Sequence, residues 1–180
     1  AVSINNSPII VYDLTKDKLP NLIQQALIDD TVIKWAFNAT FERICLSNWI
    51  KKHYPTLLNE NFLSPNSWRC SMIWSAYLGL PLSLEGVGTI LKLSEQKLKV
   101  GSELIRYFCL PCKPTKINGG RTRNYENHAP EKWKNFIEYN KRDVEVELAI
   151  KKRLQNFPVP DFVWDEYHFD QKINDCGIGV

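Results

Sequence analysis

The apolar run Thr31-Val-Ile-Lys-Trp-Ala-Phe37, set between two helical patterns, constrains the fold more than any other stretch of this chain. Its β-branched and aromatic content predicts a strand, apolar enough to be central in a sheet. Before it, Leu19-Pro20 opens a helix through about Leu27, with Leu22, Ile23, Ala26 and Leu27 on one face, and Asp29-Asp30 ends it. After it, a helix begins near Thr40, where Phe41, Ile44, Cys45 and Trp49 recur at helical spacing. Further upstream, Pro8–Tyr12 is a short β-branched run ending at Asp13, which predicts another strand. This β-α-β-α order predicts parallel strands joined by right-handed crossovers, hence an α/β fold.

The remainder is mostly helical in pattern. A helix is expected over Trp68–Leu78, stopped by Gly79 and Pro81, and Ser83 is placed to cap a shorter one through about Leu91. Lys97–Phe108 is expected to be helical in its second half. Pro111–Asn127 has the Pro, Gly and Asn content of a loop and carries Lys113, Lys116, Arg121 and Arg123. Pro130 opens a long helix that runs to about Phe157, where Pro158 and Pro160 end it; Trp133, Ile137, Val144 and Leu148 are its expected buried stripe. Asp161–Val180 is a further amphipathic stretch. With 44% hydrophobic residues in 180, one core and one domain with an appended tail are expected. No run approaches the ~20 apolar residues of a membrane span, and Ala1–Ser7 lacks a secretory pattern. Five irregularly spaced cysteines fit reduced thiols, so an intracellular, cytoplasmic protein with no membrane partner is expected.

Two short motifs carry chemistry. Tyr139 and Asp143 stand four residues apart on the long helix, so phenol and carboxylate share a face. A carboxylate on a rigid helix can ligate a hard divalent cation, and a phenol one turn away can orient water on it. The second motif, Asn38-Ala-Thr-Phe41-Glu42, puts an acid at the start of a helix just after a strand. Phe41 by itself reads more readily as a core aromatic. The basic loop suits a phosphate backbone, with Tyr107, Tyr125 and Trp133 available to stack, and suits an ordinary solvated loop equally well. Cys109-Leu-Pro-Cys112 has half a zinc site's spacing, but no second pair follows, and two thiols are expected. His53 and His168 are isolated and read as structural, and Gly86-x-Gly88 lacks the continuation of a nucleotide-binding loop.

Asn38-x-x-Phe41-Glu42 resembles the second motif of the DEDD 3′–5′ exonucleases, and Tyr139-x-x-x-Asp143 resembles the third in its tyrosine-bearing form. The segments Trp68–Leu78 and Pro81-Leu-Ser-Leu resemble the helical stretch between those motifs in proofreading exonucleases. Ala36–Arg43, Tyr139–Glu147 and Asp170–Gly177 are most similar to the exonuclease region of phage-type family A DNA polymerases, a resemblance that runs over residues 8 to 180. It implies a ribonuclease H-like fold, a mixed sheet flanked by helices, here lacking its first two strands. Residues 1–158 are then the exonuclease domain and 159–180 the lead-in to a polymerase domain of the same parent chain. It further implies two divalent ions, Mg²⁺ or Mn²⁺, with Asp143 as ligand and Tyr139 orienting the attacking water. Glu42, where the family more often has Asp, would reach the second ion through waters. Asn38 would hold the turn or contact the terminal nucleotide beside Phe41, and Lys113, Lys116, Arg121 and Arg123 would follow a single-stranded or frayed DNA 3′ end.

One departure matters. The family's first motif, Asp-x-Glu on the first strand, has here only Asp13-Leu-Thr15 as a counterpart, with Thr in place of Glu. The expectation is therefore an N-terminally incomplete fragment with an incomplete metal site. A catalytically inactive nucleic-acid-binding or scaffold module of the same fold is the alternative.

Overall fold

The apolar run forms a strand only over its centre. In the computed structural model, which describes residues 1–94 and 101–177, β1 spans Lys34–Ala36, while Val32 and Ile33 stay exposed. Its partner is β2, Trp68–Cys70, paired in parallel with Lys34 opposite Trp68 and Ala36 opposite Cys70. The sequence pattern predicts that segment as the start of a helix. Trp68 and Cys70 are instead buried on either side of a half-buried Arg69, the two-residue alternation of a strand. Helix α3, Ser71–Tyr77, begins only after it. The expected strand over Pro8–Asp13 is likewise corrected: Ile10 makes a single isolated antiparallel bridge to Val2. The parallel crossover is thus β1, the helix Ala39–His53 (α2), then β2.

Proline punctuation sets the helix ends well. Helix α1 spans Asn21–Ile28 directly after Pro20, and α6 spans Pro130–Leu154 with proline in its first turn. Ser83 caps α4, Leu84–Ile90, by accepting the Gly86 amide at 3.1 Å. Helix α5 covers Gly101–Cys109, and α7 covers Asp161–Cys176. Of the segments expected to be helical, residues 95–100 and 178–180 fall outside the described part.

The main core gathers Ala36, Ile50, Trp68, Trp74, Val146 and Ile150 around the strand pair. Burial of each large aliphatic residue here stabilises by about 1.5–3 kcal/mol. The buried stripe of α6 is Tyr139, Val146, Ile150 and Leu154, not Trp133, Ile137, Val144 and Leu148, which are only half-buried. Helix α7 packs into the same core, with Trp164 edge-on to Trp35 at 5.7 Å and His168 Nε2 2.9 Å from the Trp68 carbonyl. Arg43 of α2, 1% exposed, donates to Asp175 of α7 at 2.6 and 2.8 Å and to the Leu63 carbonyl at 2.8 Å. Leu104 and Phe108 of α5 form a second, smaller cluster with Tyr139. Among the described residues, no helix is long and apolar enough to cross a membrane.

Candidate functional site

Both strands point their carboxyl ends at one place, the edge where ligands bind in parallel α/β sheets. Past β1 the chain turns through Asn38 in the left-handed region (φ 70°, ψ 50°), and its carbonyl accepts the Phe41 amide at 2.9 Å. That turn starts α2 and puts Glu42 in its first turn. Helix α6 crosses the same edge and presents Asp143 and Glu147, one turn apart. The Ser71 hydroxyl donates to Glu147 Oε1 at 2.9 Å, and the Phe37 amide is a second donor to this carboxylate. Phe37 directly follows β1 and Ser71 directly follows β2, so one carboxylate ties both strand ends to α6.

These acids act on one another electrostatically. Burial pushes Glu42 up to about 7, and the carboxylates of Glu147 and Asp143 push in the same direction. Burial also pushes Glu147 to about 7, against the opposing pull of the Ser71 hydroxyl, Lys151 and the Phe37 amide. Glu42 Oε2 is buried with no hydrogen-bond partner. Such a donor set, all carboxylate oxygen with mutual repulsion and one buried oxygen unbonded, suits a hard divalent cation. Among the described residues no three potential ligands stand close enough to cage an ion. Magnesium commonly takes only one or two carboxylates and completes its shell with water and phosphate, so Glu42 and Asp143 fit that mode.

Tyr139 lies one turn from Asp143 and is only 6% exposed. Its ring stacks parallel to Phe136 at 6.1 Å and packs with Leu104 and Phe108 of α5. A Cβ on Gly101 would fall on that ring, 2.6 Å from Cζ. Phe41 is 63% exposed beside Glu42, which overturns its reading as a core aromatic. Asn38 is exposed at the turn. Asp13 is tied elsewhere: it accepts the Trp133 indole N–H at 3.0 Å and the Thr15 amide at 3.1 Å. Burial alone raises its carboxyl, but hydrogen bonds from Thr15 and Trp133, with Lys16 near, hold it below the ordinary range.

The basic loop divides. Lys113, Lys116 and Arg123 are exposed, whereas Arg121 donates to Asn124 Oδ1 at 2.9 Å and to the Asn118 carbonyl at 3.1 Å. Of the expected stacking residues, Tyr125 is exposed under Arg123, Tyr107 lies under Lys132 at 4.8 Å, and Trp133 is held by Asp13. Arg106, Tyr107, Asn124 and Lys132 line an open cleft of about 430 Å³ at the loop's root. Cys109 and Cys112 are free thiols.

Motif reasoning misses Glu147 in the site and Arg43 in the core. Glu147 had a signal, since it extends the Tyr139, Asp143 spacing by one more turn. Arg43 had none in hydrophobic periodicity, because a buried arginine mimics an exposed one in sequence.

No family model matches the chain, and no solved structure matches it. Along its whole length it is similar to one region of a DNA polymerase. That relative, the DNA polymerase of Bacillus phage SP02, is 44% identical over 181 residues, covering 100% of this chain and 26% of the relative. The chain therefore spans about a quarter of the length of the curated relative it matches.

Proposed function

We propose that the chain is the 3′–5′ proofreading exonuclease region of a DNA polymerase, a ribonuclease H-like domain that hydrolyses the 3′-terminal phosphodiester of DNA. The observation that carries this reading is the meeting of Glu42 with Asp143 and Glu147 at the carboxyl ends of two parallel strands, within a chain similar throughout to a polymerase. Two divalent ions, Mg²⁺ or Mn²⁺, would supply a nucleophilic water and charge stabilisation of the leaving 3′ oxygen. Asp143 and Glu42 would hold them, and Tyr139 would orient the water from its fixed ring. Glu147 keeps the strand ends and α6 in register. Asn38 and Phe41 border the site, and Lys113, Lys116 and Arg123 offer surface charge to the phosphate backbone.

Incubation of the protein with 3′-labelled single-stranded DNA and Mn²⁺ tests the reading. Metal-dependent release of label that disappears in Asp143→Ala is expected. Tight binding with no release in either protein would contradict catalysis by this chain and favour a second reading, a non-catalytic DNA-binding module of the same fold. One observation supports that rival: Asp13-Leu14-Thr15 offers a single carboxylate, already hydrogen-bonded to Thr15 and Trp133.

A further inference from the structure

Between Glu103 and Glu126 the chain carries five cations, Arg106, Lys113, Lys116, Arg121 and Arg123, and no acid. The whole chain has a net charge of only +3, so everything outside this stretch is net negative by two charges. The basic character of the protein is concentrated in one loop and its root, the pattern of a polyanion contact rather than of a uniformly solvated surface.

At the tip of that loop stands Ile117, 100% exposed. A single exposed apolar residue is ordinary on a protein surface, but this one is held out by a rigid frame. Asn118 Oδ1 accepts the Thr115 amide at 2.9 Å and the Gly120 amide at 3.1 Å, and its Nδ2 donates to the Lys113 carbonyl at 2.8 Å. The Gly120 amide also donates to the Thr115 carbonyl at 2.9 Å, and the Cys112 amide closes the root on the Thr122 carbonyl at 2.8 Å. Gly119 and Gly120 take φ values of 68° and 76°, a region glycine enters without steric cost. A tip ordered before binding loses little conformational entropy on contact.

We infer that the 110–125 loop is a nucleic-acid wedge: Lys113, Lys116 and Arg123 grip phosphates at a duplex end, and Ile117 inserts against the terminal base pair and unstacks it. The inference rests on the reading of the chain as a DNA exonuclease region. Apolar side chains inserted at base steps unstack them elsewhere at a few kcal/mol, which surrounding phosphate contacts offset. The exposed face of Tyr125 is available to a base released in this way.

The test is a DNA duplex with 2-aminopurine in its 3′-terminal pair, titrated with the protein in EDTA so that no cleavage occurs. Fluorescence should rise on binding to the unaltered protein. Ile117→Ser should bind within about twofold as tightly yet lose most of the rise, since the fully exposed side chain contributes no packing to the fold. The Lys113→Gln, Lys116→Gln double variant should bind roughly tenfold more weakly, with a salt dependence flatter by about two counterions. A full rise with Ile117→Ser, or undiminished affinity in the double variant, would overturn the wedge. Binding by the unaltered protein with no rise at all would also overturn it, while leaving the exonuclease reading intact. Failure of the unaltered protein to bind DNA would overturn both.

Discussion

Glu42 and Glu147 make the site's charge balance measurable. Each is raised from 4.5 to about 7, so between those values the folded protein holds protons that the unfolded chain has released. The associated stability is fully present below about pH 4.5 and is lost as pH rises through 7. His168 and the Ala1 amino group, both lowered by burial, act in the opposite sense below their ordinary values of 6.5 and 8.0, so the acids are read over pH 6.5 to 8 with the N-terminus acetylated. Urea unfolding without metal should show stability falling across that window, by about 2 kcal/mol for the coupled pair. Glu147→Gln, which keeps an acceptor for Ser71 and Phe37, should roughly halve the slope. Gly101 gives a second prediction at this scale. Gly101→Ala would drive a methyl into the Tyr139 ring, and overpacking of this kind costs about 1–3 kcal/mol, read as a lower urea midpoint with unchanged m-value.

At the scale of elements, the helices that proline punctuates were legible, and those whose buried face is polar were not. Pro20, Pro130 and Pro158 bracket α1 and α6 closely. In α2, apolar spacing picks out Phe41, Ile44, Cys45 and Trp49, yet Phe41 and Cys45 are exposed, and the buried stripe is Ala39, Arg43, Ser47 and Ile50. Ser47 donates its hydroxyl to the Arg43 carbonyl at 2.6 Å and accepts the Leu63 amide at 2.9 Å, so its polar side chain occupies a core position fully hydrogen-bonded. Strand β2 was hidden because Trp68-Arg69-Cys70 runs without a break into the apolar pattern of α3. The Arg43–Asp175 pair makes α7 an integral layer of this core. Asp175→Ala leaves a buried guanidinium without its carboxylate and should cost about 3 kcal/mol. Amide exchange should then accelerate first in the last turns of α7 if the pair is what fastens it.

At the scale of the whole molecule, the candidate site is assembled from corners rather than from one element. The turn after β1 brings Glu42, the turn after β2 brings Ser71, and α6 crosses both with Tyr139, Asp143 and Glu147. Motif spacing exposes Tyr139, Asp143 and Glu42 because each lies at a helical repeat or a strand-to-helix junction. Spacing places Glu147 one turn beyond Asp143 but is silent about its bond to Ser71 and about the commitment of Asp13 to Trp133, since both depend on contacts between residues far apart in the chain. The central claim is that Glu42 and Asp143 form one metal-binding pair. Titration with Mn²⁺, followed by the loss of free-ion electron paramagnetic resonance signal, tests it without requiring turnover. The account predicts binding by the unaltered protein that weakens at least tenfold in both Glu42→Gln and Asp143→Asn and is unchanged in Asp13→Asn. Equal Mn²⁺ affinity in Asp143→Asn and the unaltered protein would contradict it.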